Sequence, residues 1–129
     1  MSQVFKGQIA QLKVEQRCAE LSYAVSIPTT PERYDLIIDI NGNMHRTQIK
    51  YADAPGKNRG SVRIMCGAVK NKPYTRAAID IMVVYVPVMD RVLWLPAEIW
   101  EDKRSITLRY MMRKGSAGRP SINAWEYIW

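Results

Sequence analysis

One carboxylate, one amide and one ammonium come together if residues 34 to 51 fold back on themselves. Tyr34-Asp35-Leu36-Ile37-Ile38-Asp39-Ile40 is rich in β-formers, Asn41-Gly42 is the strongest short hairpin signal, and Met44 to Tyr51 resumes the strand pattern. With Asn41-Gly42 at the centre of the turn, Asp35 faces Gln48 and lies diagonally across from Lys50. Directly facing Cβ atoms are about 5 Å apart and diagonal neighbours about 7 to 8 Å, so the three polar groups converge. A turn centred on Gly42-Asn43 would set Asp35 against Lys50 and keep the cluster. A three-residue loop would break it unless a bulge restored the face. Oxygen from Asp35 and from the Gln48 amide suits a hard divalent cation, and Lys50 would add positive charge beside a nucleophile or a phosphate. The plainer alternative is an amphipathic hairpin in which Asp35 and Lys50, and Asp39 and Arg46, make solvated cross-strand contacts worth about 0.2 to 1 kcal/mol each.

The elements that must hold this cluster follow from periodicity. Alternation puts Arg33, Asp35, Ile37, Asp39, Arg46, Gln48 and Lys50 on one face of the hairpin, and Leu36, Ile38, Ile40, Thr47 and Ile49 on the core face. From Val4 to about Leu21, Phe5, Ile9, Leu12, Cys18 and Ala19 recur at helical spacing with no proline inside. Tyr23 to Ile27 reads as a short strand ended by Pro28, Ser61 to Met65 and Ile106 to Tyr110 as two more, and Pro96 to Trp100 as a helical turn. Ile79 to Val86 is a nearly unbroken apolar run, as in a strand covered on both faces. Val92 to Leu95 follows it after a turn, and the two are expected to form the middle of the sheet. The tail residues Trp125, Tyr127, Ile128 and Trp129 either pack back on the core or form a subunit contact. One long helix among many strands predicts an α/β or α+β domain with a mixed sheet, not a doubly wound one.

Composition bounds the function. A chain of 129 residues that is 47% hydrophobic has room for a single domain, 1–129, with a core large enough to need no disulfide or structural metal. With one histidine and no CxxC pair, zinc sites are excluded, and Cys18 and Cys66 read as buried free thiols of a reducing cytoplasm. Lys6, Gln8, Gln11 and Lys13 interrupt any signal-peptide core, and Pro87, Asp90 and Arg91 break the longest apolar runs well short of the ~20 residues of a spanning helix. No membrane partner is expected.

A net charge of +7 favours a polyanion, nucleic acid above all. Between Pro55 and Arg76 lie Lys57, Arg59, Arg63, Lys70, Lys72 and Arg76 with no acid among them. Lys103, Arg104, Arg109, Arg113, Lys114 and Arg119 form a second acid-free stretch. Such side chains bind phosphates, and Arg59, Arg63, Lys70 and Lys72, on a strand and its loops, are placed for base reading by a β-ribbon.

Asp35, twelve intervening residues and Gln48-Ile49-Lys50 resemble the PD-(D/E)XK nuclease signature. Joined to Lys6-Gly7-Gln8-Ile9-Ala10, Arg46-Thr47-Gln48-Ile49-Lys50-Tyr51-Ala52, Ile79-Asp80 ahead of Val83-Val84-Tyr85, and Val92-Leu93-Trp94-Leu95-Pro96, it is similar to the group I intron-associated branch of those endonucleases, small bacterial proteins that include homing endonucleases. The resemblance, over roughly residues 6 to 129, implies a restriction endonuclease-like α/β core: an N-terminal helix packed on a central mixed β-sheet. It also implies a cytoplasmic bacterial enzyme that hydrolyses phosphodiesters of double-stranded DNA with Mg²⁺, Ca²⁺ being a non-catalytic substitute, and that works as a homodimer or homotetramer. By the same resemblance Asp35 holds metal, Gln48 takes the second acidic position, the Ile49 carbonyl completes the ligand set and Lys50 is the motif lysine. Arg33, Arg46, Arg113 and Lys114 join the basic residues above as DNA contacts.

Relatives carry Glu on the first helix where this chain has Gln11, so Asp35 would be the only formal anion among the assigned ligands. Gln11 is then either a disabling replacement, as in a protein altered to trap uncleaved DNA, or a loss made good by Glu15 one turn along. The alternatives to a homing endonuclease are a Holliday-junction resolvase and a DNA-binding protein that keeps the fold without catalysis.

Overall fold

The computed structural model describes residues 1–67, 72–111 and 122–129. Helix α1 spans Gln3–Glu20; its N-cap Ser2 accepts from the Phe5 amide at 3.4 Å. At the other end Ser22 takes a left-handed φ of 61°, which lets the Tyr23 amide reach the Cys18 carbonyl and the Ser22 amide reach Ala19, the Schellman arrangement that stops a helix. Strands β1 (Ala24–Ser26), β2 (Leu36–Ile40), β3 (Asn43–Tyr51), β5 (Ile81–Val86) and β6 (Arg91–Leu95) make one sheet in the order β1-β2-β3-β5-β6. It is mixed, because β3 and β5 are parallel while the other neighbours are antiparallel.

The β2–β3 hairpin turns at Asn41 and Gly42, both with positive φ (53° and 90°), and the Gly42 amide is held by Asp39 Oδ1 at 2.8 Å. Two left-handed residues give a type I′ turn, whose twist matches the strands it joins. The register from Leu36↔Thr47 to Ile40↔Asn43 is the one that Asn41-Gly42 predicts. Every residue of β5 is buried because it is covered twice. Ile81, Val83 and Tyr85 meet the α1 stripe Ala10, Val14 and Cys18, together with Leu36, Ile38 and Ile49. Met82, Val84 and Val86 face a second core built around Trp100, Ile64 and Leu108.

Two expectations for the sheet are corrected. First, β6 is an edge strand, not part of the middle: its outer side meets the chain end through the Leu93↔Ile128 bridge and the Trp129 amide on the Val92 carbonyl. Second, the remaining strands do not join the main sheet. β4 (Ser61–Met65), β7 (Ser105–Arg109) and β8 (Ile122–Asn123) form a second sheet, ordered β4-β7-β8, which closes the core opposite α1 with the short helix α2 (Ala97–Trp100).

The tail packs back on its own chain. Trp129 stacks on Tyr23 at 6.4 Å and sits 4.9 Å from Trp94, and its carbonyl accepts from Arg17 Nε at 2.8 Å. Both cysteines are buried and free, with thiols pushed up to about 11 chiefly by burial. Among the described residues no helix is long and apolar enough to cross a membrane.

Candidate active site

Asp35 stands one residue before β2, where regular pairing has ended. Leu36 faces Thr47, yet the Asp35 amide also donates to the Thr47 carbonyl at 2.8 Å, so two consecutive residues are directed at one. Such a bulge re-aims a side chain. In an unbroken ladder the Ile49 amide would next find the Tyr34 carbonyl; Asp35 Oδ2 takes that hydrogen bond instead, at 2.7 Å. Asp35 is therefore bound to the peptide between Gln48 and Ile49, rather than simply lying opposite Gln48.

The two neighbours on β3 complete the polar cluster. Gln48 Nε2 donates to the Ile49 carbonyl at 3.3 Å. Lys50 shares the face with Asp35, its ammonium 5.3 Å from the centre of the Tyr74 ring. Burial raises the Asp35 carboxyl above its usual value, opposed by the Ile49 hydrogen bond and the Lys50 charge. Burial likewise lowers Lys50, against the pull of Cys66 and Asp35. The Cys66 thiol is itself pushed up to about 11, chiefly by burial.

This donor set suits a hard cation in kind and is poor in charge. Asp35 Oδ1, Gln48 Oε1 and the second lone pair of the Ile49 carbonyl are all oxygens, the ligand type that Mg²⁺ and Ca²⁺ take. Among the described residues no group of three or more His, Cys, Asp or Glu could hold a metal ion, and glutamine stands at positions 11 and 48. Gln11 is half-buried on α1, and no hydrogen bond among the described residues joins it to Asp35 or Gln48. Lys6, Lys13 and Arg17 reach Asp53, Asp90 and Trp129 from the opposite flank of the helix, which leaves Gln11 and Glu15 on the flank toward β2. The charge of Glu15 bears on the Cys18 thiol, whereas the groups that shift Asp35 are Ile49 and Lys50.

The expected DNA contacts separate into two groups. Arg33, Lys57, Arg59, Arg63 and Lys72 are exposed, with Arg33 resting 5.1 Å from the Tyr74 ring centre. Arg63 points outward from β4 opposite Thr107 on β7, so the second sheet presents a β-ribbon to solvent. Arg46, half-buried, and Arg76, exposed, are by contrast already paired with carboxylates of the same chain. The Arg46 guanidinium bonds both oxygens of Asp80 and the carbonyls of Ala77 and Arg76. It thus ties β3 to the turn ahead of β5 and makes no pair with Asp39, which caps the hairpin. Arg76 is matched by Glu101 at 2.9 Å and Glu98 at 3.6 Å, so the basic stretch is less positive in space than in sequence. Lys70, Arg113 and Lys114 lie outside the described residues, as does Arg119. Tyr74 had no signal in the sequence beyond its aromatic type. Asp80 lies just ahead of the apolar run that becomes β5, and nothing in the sequence names Arg46 as its partner.

No curated protein sequence matches the chain. Among solved structures, the fold is similar to that of the bacterial homing endonuclease I-Ssp6803I, with a TM-score of 0.79 over 99% of this chain and 89% of that one at 20% identity. A PD-(D/E)XK endonuclease family model matches residues 1–127, and with Asp35 and Lys50 on one face of the hairpin it follows that the chain belongs to the PD-(D/E)XK endonuclease family.

Proposed function

We propose that this protein is a site-specific endonuclease of the homing type, hydrolysing phosphodiesters of double-stranded DNA with Mg²⁺. The observation that carries the reading is the bulge at Asp35, which turns its carboxylate onto the Ile49 amide and, among the described residues, leaves Oδ1 without a hydrogen bond, with the Lys50 charge acting on the carboxylate. Asp35, Gln48 and the Ile49 carbonyl would hold the ion, with Gln11 at the helix position that carries an acid in relatives. A bound Mg²⁺ would polarise the phosphate and make water a better nucleophile. The chain's own part is positional. The Ile49 amide fixes Asp35, and the Lys50 ammonium offsets charge on the phosphoryl oxygens as water adds and the P–O bond breaks. Ca²⁺ would occupy the site without supporting the reaction.

Exposed Arg33, Lys57, Arg59, Arg63 and Lys72 are the proposed DNA contacts among the described residues, and Lys70, Arg113 and Lys114 are proposed on sequence grounds. One site cuts one strand, so a double-strand break calls for a homodimer or homotetramer with twofold symmetry. The pairing of glutamines at 11 and 48 favours a second reading, a DNA-binding protein on the same fold with weak or no catalysis. Binding in Ca²⁺ and cleavage in Mg²⁺ are measured on linear, branched and randomised DNA. Cleavage of particular linear sites supports the homing reading, and a preference for branched DNA points to a resolvase. Binding without cutting at any Mg²⁺ concentration leaves the non-catalytic reading.

A further inference from the structure

Tyr74 lies beneath two cations at once, with Lys50 Nζ 5.3 Å and the Arg33 guanidinium carbon 5.1 Å from its ring centre. The ring is only 6% exposed and belongs to the core that faces the second sheet. Its backbone is fastened on both sides: the Tyr74 amide donates to the Cys66 carbonyl at 3.0 Å, and its carbonyl accepts from the Asp102 amide at 3.2 Å. A lysine is a compact charge on a flexible four-carbon stem and needs something to aim it. Among the described residues Lys50 makes no direct ion pair or hydrogen bond, so the ring is the fixed group on which its ammonium rests.

We propose that Tyr74 is the positioning residue for Lys50: the negative face of its ring holds the ammonium over the Asp35 side of the hairpin, where charge builds during cleavage. The inference rests on the nuclease reading for its kinetics but not for its geometry, so two measurements test it. In single-turnover nicking of supercoiled plasmid carrying a randomised insert, with Mg²⁺, Tyr74→Phe stays within about threefold of the native rate. Tyr74→Leu loses about thirtyfold at saturating DNA, the size of a desolvated cation–π contact. Half-saturation moves little in either variant, and in a Lys50→Met background Tyr74→Leu changes nothing further. In ¹³C NMR, the Lys50 Cε–Hε resonances are shifted by the ring in the native protein and in Tyr74→Phe, and return to ordinary lysine positions in Tyr74→Leu, with circular dichroism confirming that each variant is folded. Equal losses from Tyr74→Leu with and without Lys50, or Lys50 resonances indifferent to the substitution, would overturn the proposal. If the native protein nicks nothing, the nuclease reading fails, and the resonances still decide what Tyr74 does.

Discussion

The Asp35 carboxylate accepts the Ile49 amide at 2.7 Å, doing for β3 what the Tyr34 carbonyl would do in an unbroken ladder. A side chain has been substituted for backbone at the point where a strand ends. One oxygen is thereby fixed, and the carboxylate as a whole lies within reach of the Lys50 charge.

Asp35→Asn keeps an oxygen for the Ile49 amide and removes the charge. Mg²⁺-dependent cleavage should fall by about 10³-fold or more, the scale of losing a charged ligand. Stability should move the other way. The folded Asp35 value is raised, chiefly by burial, so ionisation opposes folding, and the asparagine variant should melt higher than the native protein at pH 7. Its advantage should shrink as the pH falls through the raised Asp35 value and the native carboxyl takes up its proton. Thermal melts across pH check the sign, and a variant that melts lower at pH 7 would count against it.

Restoring an acid on the helix should restore function. Gln11→Glu is expected to raise the Mg²⁺-dependent rate by about tenfold, because a carboxylate replaces a neutral amide beside a hard cation. Glu15→Ala should leave the rate unchanged, since its charge bears on Cys18 and not on Asp35. A loss in the second variant, with no gain in the first, would assign the helix charge to Glu15.

Two arginines that look alike in sequence should behave differently. Arg63→Ala is expected to weaken DNA binding and to reduce the slope of log K against log salt by about 0.9, one phosphate contact, with little change in melting temperature. Arg46→Ala should lower the melting temperature, because it leaves Asp80 with only the backbone amide of residue 46 and the carbonyls of Ala77 and Arg76 without the guanidinium. Fluorescence anisotropy across a salt series, paired with calorimetry, separates the two.

Acid should weaken the link between β3 and the turn ahead of β5. Hydrogen bonding from Arg46 holds the Asp80 carboxyl below its ordinary value of 3.8. A lowered folded value means the contribution is complete above 3.8 and disappears as the pH falls through the lower folded value. Asp80→Asn should therefore melt below the native protein at pH 7, and the gap should close in stronger acid. A gap independent of pH would show that the ion pair is not its source.

The chain end should matter to stability and not to assembly. Trp129 bridges Tyr23, Trp94 and Arg17 within one chain, so Trp129→Ala should cost about 2 kcal/mol in urea unfolding. Removal of residues 125–129 should leave the size-exclusion mass per assembly, counted in subunits, unchanged. A drop to fewer subunits would make the tail an interface after all.

Local signals in the sequence determined the hairpin, because Asn41-Gly42 selects a two-residue turn and alternation then decides which side chains share a face. They likewise determined the existence of the long helix and the doubly covered strand β5, but not the helix's buried face: α1 buries Ala10, Val14 and Cys18, while Phe5 and Leu12 of the expected stripe are exposed. The grouping of Asp35, Gln48 and Lys50 was legible from the hairpin's alternation. The bulge that re-aims Asp35 was not, since it depends on where β2 stops pairing. Nor were the second sheet, the edge position of β6, the capture of Arg46 by Asp80 and of Arg76 by Glu101, or the Tyr74 ring under Lys50. Each of these joins segments whose residue types allow many partners, and only the packed chain, with its fixed distances, chooses one.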